Sequence, residues 1–270
     1  MNVNDSKTGP CFSIITPTYN CGSKLNRSLE SVLGQDFQDF EYLIIDGNSQ
    51  DGTREQLAGI KDPRVRSLSE PDKGVYDAMN KAVNRARGRY WYFLGAGDEL
   101  LPGVLKQIRS LLPDHEQDMI YGNVLLEGKT LYDGYFSRVK MCGHNISHQA
   151  IFYGRDVFKL VGDYDLKYAV AADWDLNMRC FGHRRIAIRY VPITVAIFEG
   201  GGLSSQVDLI FDADREAVIR RHLGRLTYLR YKAPYWRAHL ALKTRQLLHP
   251  YIPAFILAAR RKLKGRLSRR

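Results

Sequence analysis

Cysteine is scarce in this chain of 270 residues. The four present, Cys11, Cys21, Cys142 and Cys180, form no CxxC pair and show no zinc-ligand spacing. That argues against a disulfide framework or a structural zinc site, and the four read as reduced thiols of a cytoplasmic protein. Long apolar runs are missing as well. The longest, Ile252 to Ala259, contains Pro253 and falls far short of the roughly 18 residues that a membrane span needs. Met1 to Pro10 has no apolar centre of the kind a secretory leader carries. Neither GxxxxGK[ST] nor GxGxxG occurs, so the two common glycine-rich phosphate cradles are excluded. Internal repeats and low-complexity segments are absent too. The longest stretch without an acidic residue is at the end: residues 220–270 hold 15 of the 40 Lys and Arg and no Asp or Glu. The whole chain carries +11, yet the remainder, with 25 basic and 29 acidic residues, is at −4. The tail therefore holds the entire positive excess and points to an anionic partner, either nucleic acid or a membrane surface.

What is present reads as an α/β chain. Phe12 to Asn20 begins as an apolar strand and ends in turn residues, and Leu25, Leu29, Val32 and Leu33 then mark an amphipathic helix. Tyr42 to Ile45 is a second strand, closing on Asp46. A short helix and a weak strand over Val65 to Leu68 follow, and Val75, Met79, Val83 and Ala86 line one face of a further helix. This alternation implies βαβ units and a parallel sheet covered on both faces. Residues 90–94 form the next strand, after which Gly95-Ala96-Gly97 leaves room beside Asp98. Asp98 reads either as a cap of the helix that Pro102 opens or as a ligand at a strand end. Beyond it, helix is expected over Pro102 to Leu112. Strands are expected over 118–126, 131–136, 147–153 and 185–190, with a helix opening at Ala171 and a glycine-rich loop at 199–206. Asp51 suits an Asx-turn. The composition shifts near residue 217, giving a globular domain over 1–217 and a basic helical tail over 218–270.

Strand C-termini share one edge of a parallel sheet, so Tyr19-Asn20, Asp46 and Asp98 converge on one crevice. Four segments carry a resemblance: Ile14 to Asn20, Ile45 to Thr53, Asp72 to Ala82, and Phe93 to Asp98. In order, spacing and identity they resemble glycosyltransferase family 2, over roughly residues 12 to 204. The resemblance implies a GT-A fold, Rossmann-like, and inverting transfer of a sugar from a nucleotide diphosphate donor. It places Pro17, Tyr19, Asn20 and Asp46 against the nucleobase and ribose, and Asp72 and Lys73 beside the base, with Asp77 and Asn80 shaping that loop. Asp98 matches the metal-ligating last carboxylate of the DxD motif, implying Mn²⁺ or Mg²⁺ as cofactor. Asp173 matches the catalytic base. His148, Gln149, Gly202 and Ser204 resemble segments that close over the donor diphosphate and acceptor. Two positions depart from the pattern: Ala96 stands where the first DxD carboxylate would, and Ala172 replaces the Glu before the base.

An inverting transfer needs a base within reach of the attacking hydroxyl and a positive group beside the leaving diphosphate. Asp173 and a metal on Asp98 meet those needs, with no covalent intermediate. The two missing carboxylates leave one alternative, a non-catalytic nucleotide-sugar-binding partner of a glycan-synthesis complex. The tail, with Arg and Lys among Leu, Tyr and Trp, suits a helix lying on an anionic membrane, and Pro234, Pro250 and Pro253 are expected to break it. No nucleic-acid-binding module is visible. The sequence thus reads as a cytoplasmic enzyme, peripheral on the inner face of the membrane, acting on a glycan or lipid-linked acceptor.

Overall fold

The computed structural model describes residues 9–113, 115–126, 130–200, 202 and 206–248, with 237–248 described by their backbone alone. Strands β1 (Phe12–Thr18), β2 (Phe40–Asp46), β3 (Val65–Ser69) and β4 (Tyr90–Phe93) form a parallel block in the order β3-β2-β1-β4. Every residue of β1, β2 and β4 is buried. Side chains alternate between faces along a strand, so such strands need cover on both sides. Helices α1 (Lys24–Leu33), α2 (Thr53–Gly59) and α3 (Val75–Val83) make the connections, and α3 packs on β1 and β2.

Beyond β4 the sheet turns mixed. The later elements are β5 (Glu99–Leu100), α4 (Val104–Arg109), β6 (Asp118–Leu126), β7 (Thr130–Tyr132), α5 (Arg138–Met141), β8 (Ile151–Gly154), α6 (Arg155–Val161), α7 (Ala172–Gly182) and β9 (Ala187–Phe198). The sheet runs β3-β2-β1-β4-β8-β6-β9-β5, with β7 on β6. β8 lies antiparallel to both β4 and β6, while β6 and β9 are parallel. The large tyrosines of this core have partners for their hydroxyls. Tyr90 donates to the carbonyl of His115, Tyr92 to that of Gln149, and Tyr153 to Oδ1 of Asn177.

Several sequence expectations shift. The strand expected over 147–153 starts at Ile151, because His148–Ala150 forms a 3-10 turn. The strand expected over 131–136 ends at Tyr132: Asn123 Oδ1 accepts from the Gly134 N–H and the Tyr121 hydroxyl from that of Phe136, so these groups never enter the ladder. The strand expected over 185–190 continues to Phe198. It passes Pro192 where the β6–β9 register shifts, as a residue without an N–H requires.

The expected boundary at 217 falls inside a helix. α8 (Leu209–His222) crosses it unbroken and buries Phe211, Val218 and Ile219, and Leu223 and Tyr228 are buried after it. α9 (Arg225–Leu248) contains Pro234 without ending there. Its first turns are anchored: Glu216 of α8 accepts from the Tyr228 hydroxyl at 2.6 Å and pairs with Lys232, and the Tyr231 ring lies against Gly143. Such contacts offset the roughly 3 kcal/mol that an interior proline costs a helix. Pro250, Pro253 and the rest of 249–270 lie outside the described residues.

Candidate active site

A cleft of about 700 Å³ opens at the C-terminal ends of β1 and β4. It gathers Pro17, Tyr19, Asp98, His148, Gln149, Asp173 and Gly202. Asn20, Asp46, Asp72 and Lys73 stand outside its lining, and Ser204 lies outside the described residues.

Asp98 is 6% exposed. Its Oδ2 accepts from the Gln149 amide at 2.7 Å and its Oδ1 from the Glu199 N–H at 3.1 Å. Burial pushes its pKa above the ordinary 3.8, while these two donors, the nearby His148 and the Gly95 N–H hold it down. It is no helix cap, since α4 is preceded by Gly103 in the left-handed region. Ser28 of α1 sets the shape of the loop before it. Its hydroxyl accepts from the Gly97 N–H at 2.8 Å and donates to the carbonyls of Asp98, at 2.8 Å, and Gly95, at 3.1 Å. Gly97 has φ 101°, and a Cβ there would stand 3.1 Å from the Glu199 carboxylate and 3.7 Å from the Lys24 stem.

Asp173 is the second residue of α7, and Ala171 holds the capping position, so Asp173 does not cap the helix. Its carboxylate is 3.6 Å from Nδ1 of His148. The side chain of Tyr76 lies beside it: burial first, then Asp173, pushes the Tyr76 hydroxyl well above its usual range. Ala172 is fully buried and Asp175 is paired with Arg179 at 2.9 Å, so neither supplies a second carboxylate next to Asp173.

At the other end, Tyr19 is exposed, and its ring and the Asp72 carboxylate both crowd Gly47, where a Cβ would stand 3.2 Å and 2.6 Å from them. Asp46 is fully buried and accepts from the Ser49 N–H at 3.0 Å, from the Ser49 hydroxyl and from the Ser69 hydroxyl at 2.6 Å. Its place is behind the loop, fixing it. Asn20, at φ 46°, donates its N–H to the Ser49 hydroxyl and accepts from the Gln50 N–H. Lys73 is exposed and gives its N–H to Asp77. Asn80 bonds both the carbonyl and the N–H of Tyr164, a structural pin. Asp51 makes the expected Asx-turn with Thr53.

Sequence reasoning missed Lys24, Tyr76, Tyr132, Trp174, Glu199 and Phe211, which also line the cleft. Trp174, next to Asp173, carried a usable signal. The others arrive from elements whose placement is tertiary. Among the described residues Lys24 is the only Lys or Arg of the lining, and no group of three or more His, Cys, Asp or Glu is placed to hold a metal.

The family model described as glycosyl transferase family 2 matches residues 13–156. The chain belongs to glycosyltransferase family 2. This glycosyltransferase is 40% identical over 207 residues to the PGL/p-HBAD biosynthesis glycosyltransferase of Mycobacterium bovis, covering 73% of this chain and 80% of that one. It is 31% identical to chondroitin synthase of Pasteurella multocida, covering 63% of this chain and 19% of that one. In structure it resembles S. aureus TarS in complex with UDP-GlcNAc, with a TM-score of 0.60 at 19% identity over 78% of this chain and 71% of that one. The mannosyltransferase PcManGT of Pyrobaculum calidifontis, solved with GDP-Man and Mn²⁺, gives 0.59 at 15% identity, over 90% of this chain and 82% of that one. The fold of the enzyme is GT-A. Among its described residues no helix is long and apolar enough to cross a membrane.

Proposed function

We propose that this glycosyltransferase moves a sugar from a nucleotide diphosphate donor to an acceptor hydroxyl with inversion at the anomeric carbon. The observation that carries the reading is the pair of buried carboxylates, Asp98 and Asp173, that line one cleft with His148 close to both. Two carboxylates in distinct surroundings suit two tasks.

The nucleobase lies against Tyr19, Gly47 and Asp72, on a loop that Asp46 and Asn20 fix from behind. Pro17 shapes the same end, and Lys73 stands beside it in solvent. The diphosphate lies toward Asp98 and the Lys24 ammonium. A divalent cation fits this end. The Asp98 carboxylate is buried and its ionised form is disfavoured there, and Mg²⁺-type sites use one or two carboxylates together with phosphate oxygens. Asp98 would hold Mn²⁺ or Mg²⁺, with Glu199 close at hand, and the bound ion would neutralise charge on the departing diphosphate. Asp173 takes the proton of the acceptor hydroxyl while that oxygen bonds to the anomeric carbon and the carbon–oxygen bond to the diphosphate breaks. His148 positions the Asp173 carboxylate. Gln149 orients Asp98, and Gly202 belongs to the loop over the donor and acceptor.

The acceptor is a glycan or lipid-linked intermediate, and the basic segment 220–270 meets an anionic membrane at its inner face. Leu226, Leu229, Tyr235 and Trp236 of α9 stand exposed among arginines, which supports this.

Three measurements test the reading: donor hydrolysis, transfer, and the anomeric configuration of the product by NMR, with wild type, Asp98→Ala and Asp173→Asn. Wild-type product of retained configuration, or full transfer by Asp173→Asn, overturns it. A chain ending at residue 248 that pellets with phosphatidylglycerol vesicles as well as the full chain removes the contribution of 249–270 to the membrane reading.

A further inference from the structure

Around Asp173 the cleft is walled by rings whose hydrogen-bond donors are already engaged within the protein. The Tyr76 hydroxyl donates to the carbonyl of Val170 at 2.7 Å, the Tyr132 hydroxyl to that of Asn145 at 2.6 Å, and Trp174 Nε1 to that of Met141 at 2.8 Å. All three rings line the cleft, so this wall offers apolar surface and leaves these donors unavailable to a bound molecule. Tyr132 belongs beside the base: its hydroxyl is pushed up to about 12 by burial first, then by Asp133 and Asp173. Phe211, also in the lining, packs on Trp174 with ring centroids 5.2 Å apart.

The apolar surface continues out of the cleft. Val207 lines its mouth and is 69% exposed, and Leu209 and Ile210 follow at 77% and 52%. This rim is tied to the base. The Asp208 carboxylate accepts from the N–H groups of Val170 and Ala171, at 2.9 and 3.1 Å, and from Phe211 N–H at 3.0 Å. Burial alone would raise the Asp208 pKa, yet these backbone donors hold it low. The segment 207–211 is thereby fixed to the residues that lead into α7 and Asp173.

We propose that the acceptor carries an apolar aglycone next to its reacting hydroxyl, aryl or alkyl, which rests on Trp174 and Tyr132 and leaves the cleft over Val207, Leu209 and Ile210. The proposal rests on Asp173 marking the acceptor end of the site. A ring face takes the C–H face of a sugar as well as an apolar group, so the choice rests on the rim, where an apolar group removes Val207, Leu209 and Ile210 from water. Continuity of the rim with the cleft assigns it to the acceptor itself.

Calorimetric titration of the full chain with methyl, hexyl and phenyl β-D-glucopyranoside tests this, using wild type and the triple variant Val207→Ser, Leu209→Ser, Ile210→Ser. The hexyl or the phenyl glycoside, according to whether the aglycone is alkyl or aryl, binds wild type at least about tenfold more tightly than the methyl glycoside. The variant, with an unchanged melting temperature, erases most of that gap. Equal affinity or absence of binding for all three, or a gap that survives in the variant, overturns the proposal. A variant that keeps the gap but no longer pellets with phosphatidylglycerol vesicles assigns the rim to the membrane and overturns it too. Binding is read without turnover, so failure of transfer bears on the catalytic reading and loss of the glycoside gap on this one alone.

Discussion

The side-chain amide of Gln149 donates to Oδ2 of Asp98 at 2.7 Å, and the backbone carbonyl of the same Gln149 accepts from the Tyr92 hydroxyl at 2.9 Å. A glutamine in a 3-10 turn thus joins a fully buried tyrosine of β4 to the carboxylate that follows the same strand. Because burial raises the Asp98 pKa and Gln149 lowers it, Gln149→Ala removes an opposing influence. The variant's acid limb of donor affinity moves to higher pH, measured by donor titration across a pH series. The stability sign follows from the same shift. A carboxyl raised above its ordinary 3.8 favours folding while protonated, and that contribution is lost as pH rises through its folded value. At neutral pH the bare charge is a cost, which a cation relieves. Mn²⁺ therefore raises the melting temperature of wild type by several degrees and that of Asp98→Ala by none.

Asp173→Asn keeps the size of the side chain and removes its basicity. Transfer falls by about 10²–10⁴, the usual worth of a general base, while the dissociation constant for the donor stays within about twofold. Stopped-flow turnover and equilibrium titration on one preparation check both halves.

Gly47→Ala places a methyl 2.6 Å from the Asp72 carboxylate and 3.2 Å from the Tyr19 ring. One of the two has to move, and nucleotide binding weakens about tenfold, equivalent to ~1.4 kcal/mol. Titration with UDP, GDP and dTDP reads the loss and, in wild type, the preferred base.

Ile219 is fully buried although it lies beyond residue 217. Ile219→Ala costs about 2–5 kcal/mol of stability. A chain ending at 217 also lacks Leu223 and Tyr228 and gives no cooperative unfolding transition, whereas the full chain unfolds cooperatively. Circular dichroism on the three forms settles the comparison.

The first four strands and the helices between them are legible because apolar periodicity and parallel connections are local facts. Tyr19 and Asp98 are found at strand ends for that reason. The half around Asp173 is not local. Asp173 stands at a helix start that looks like any capped one, and only the fold brings His148 to it. Asp46 shows the opposite error: a strand-end carboxylate read as a contact is held by Ser49 and Ser69 behind the loop. Pro234 gives a breaker signal that Glu216, Tyr228 and Lys232 override. The strand through Pro192 is hidden for a similar reason, since the register shift that admits it belongs to β6 as much as to β9.

Ser28 leaves a different mark. It sits on α1, seventy residues from the aspartate it serves, and three contacts from one hydroxyl give the Gly95–Asp98 turn its form. The turn therefore keeps its form with alanine at position 96. Form and charge in that turn are set by different residues, so an engineer writing Ala96→Asp starts from a turn already set.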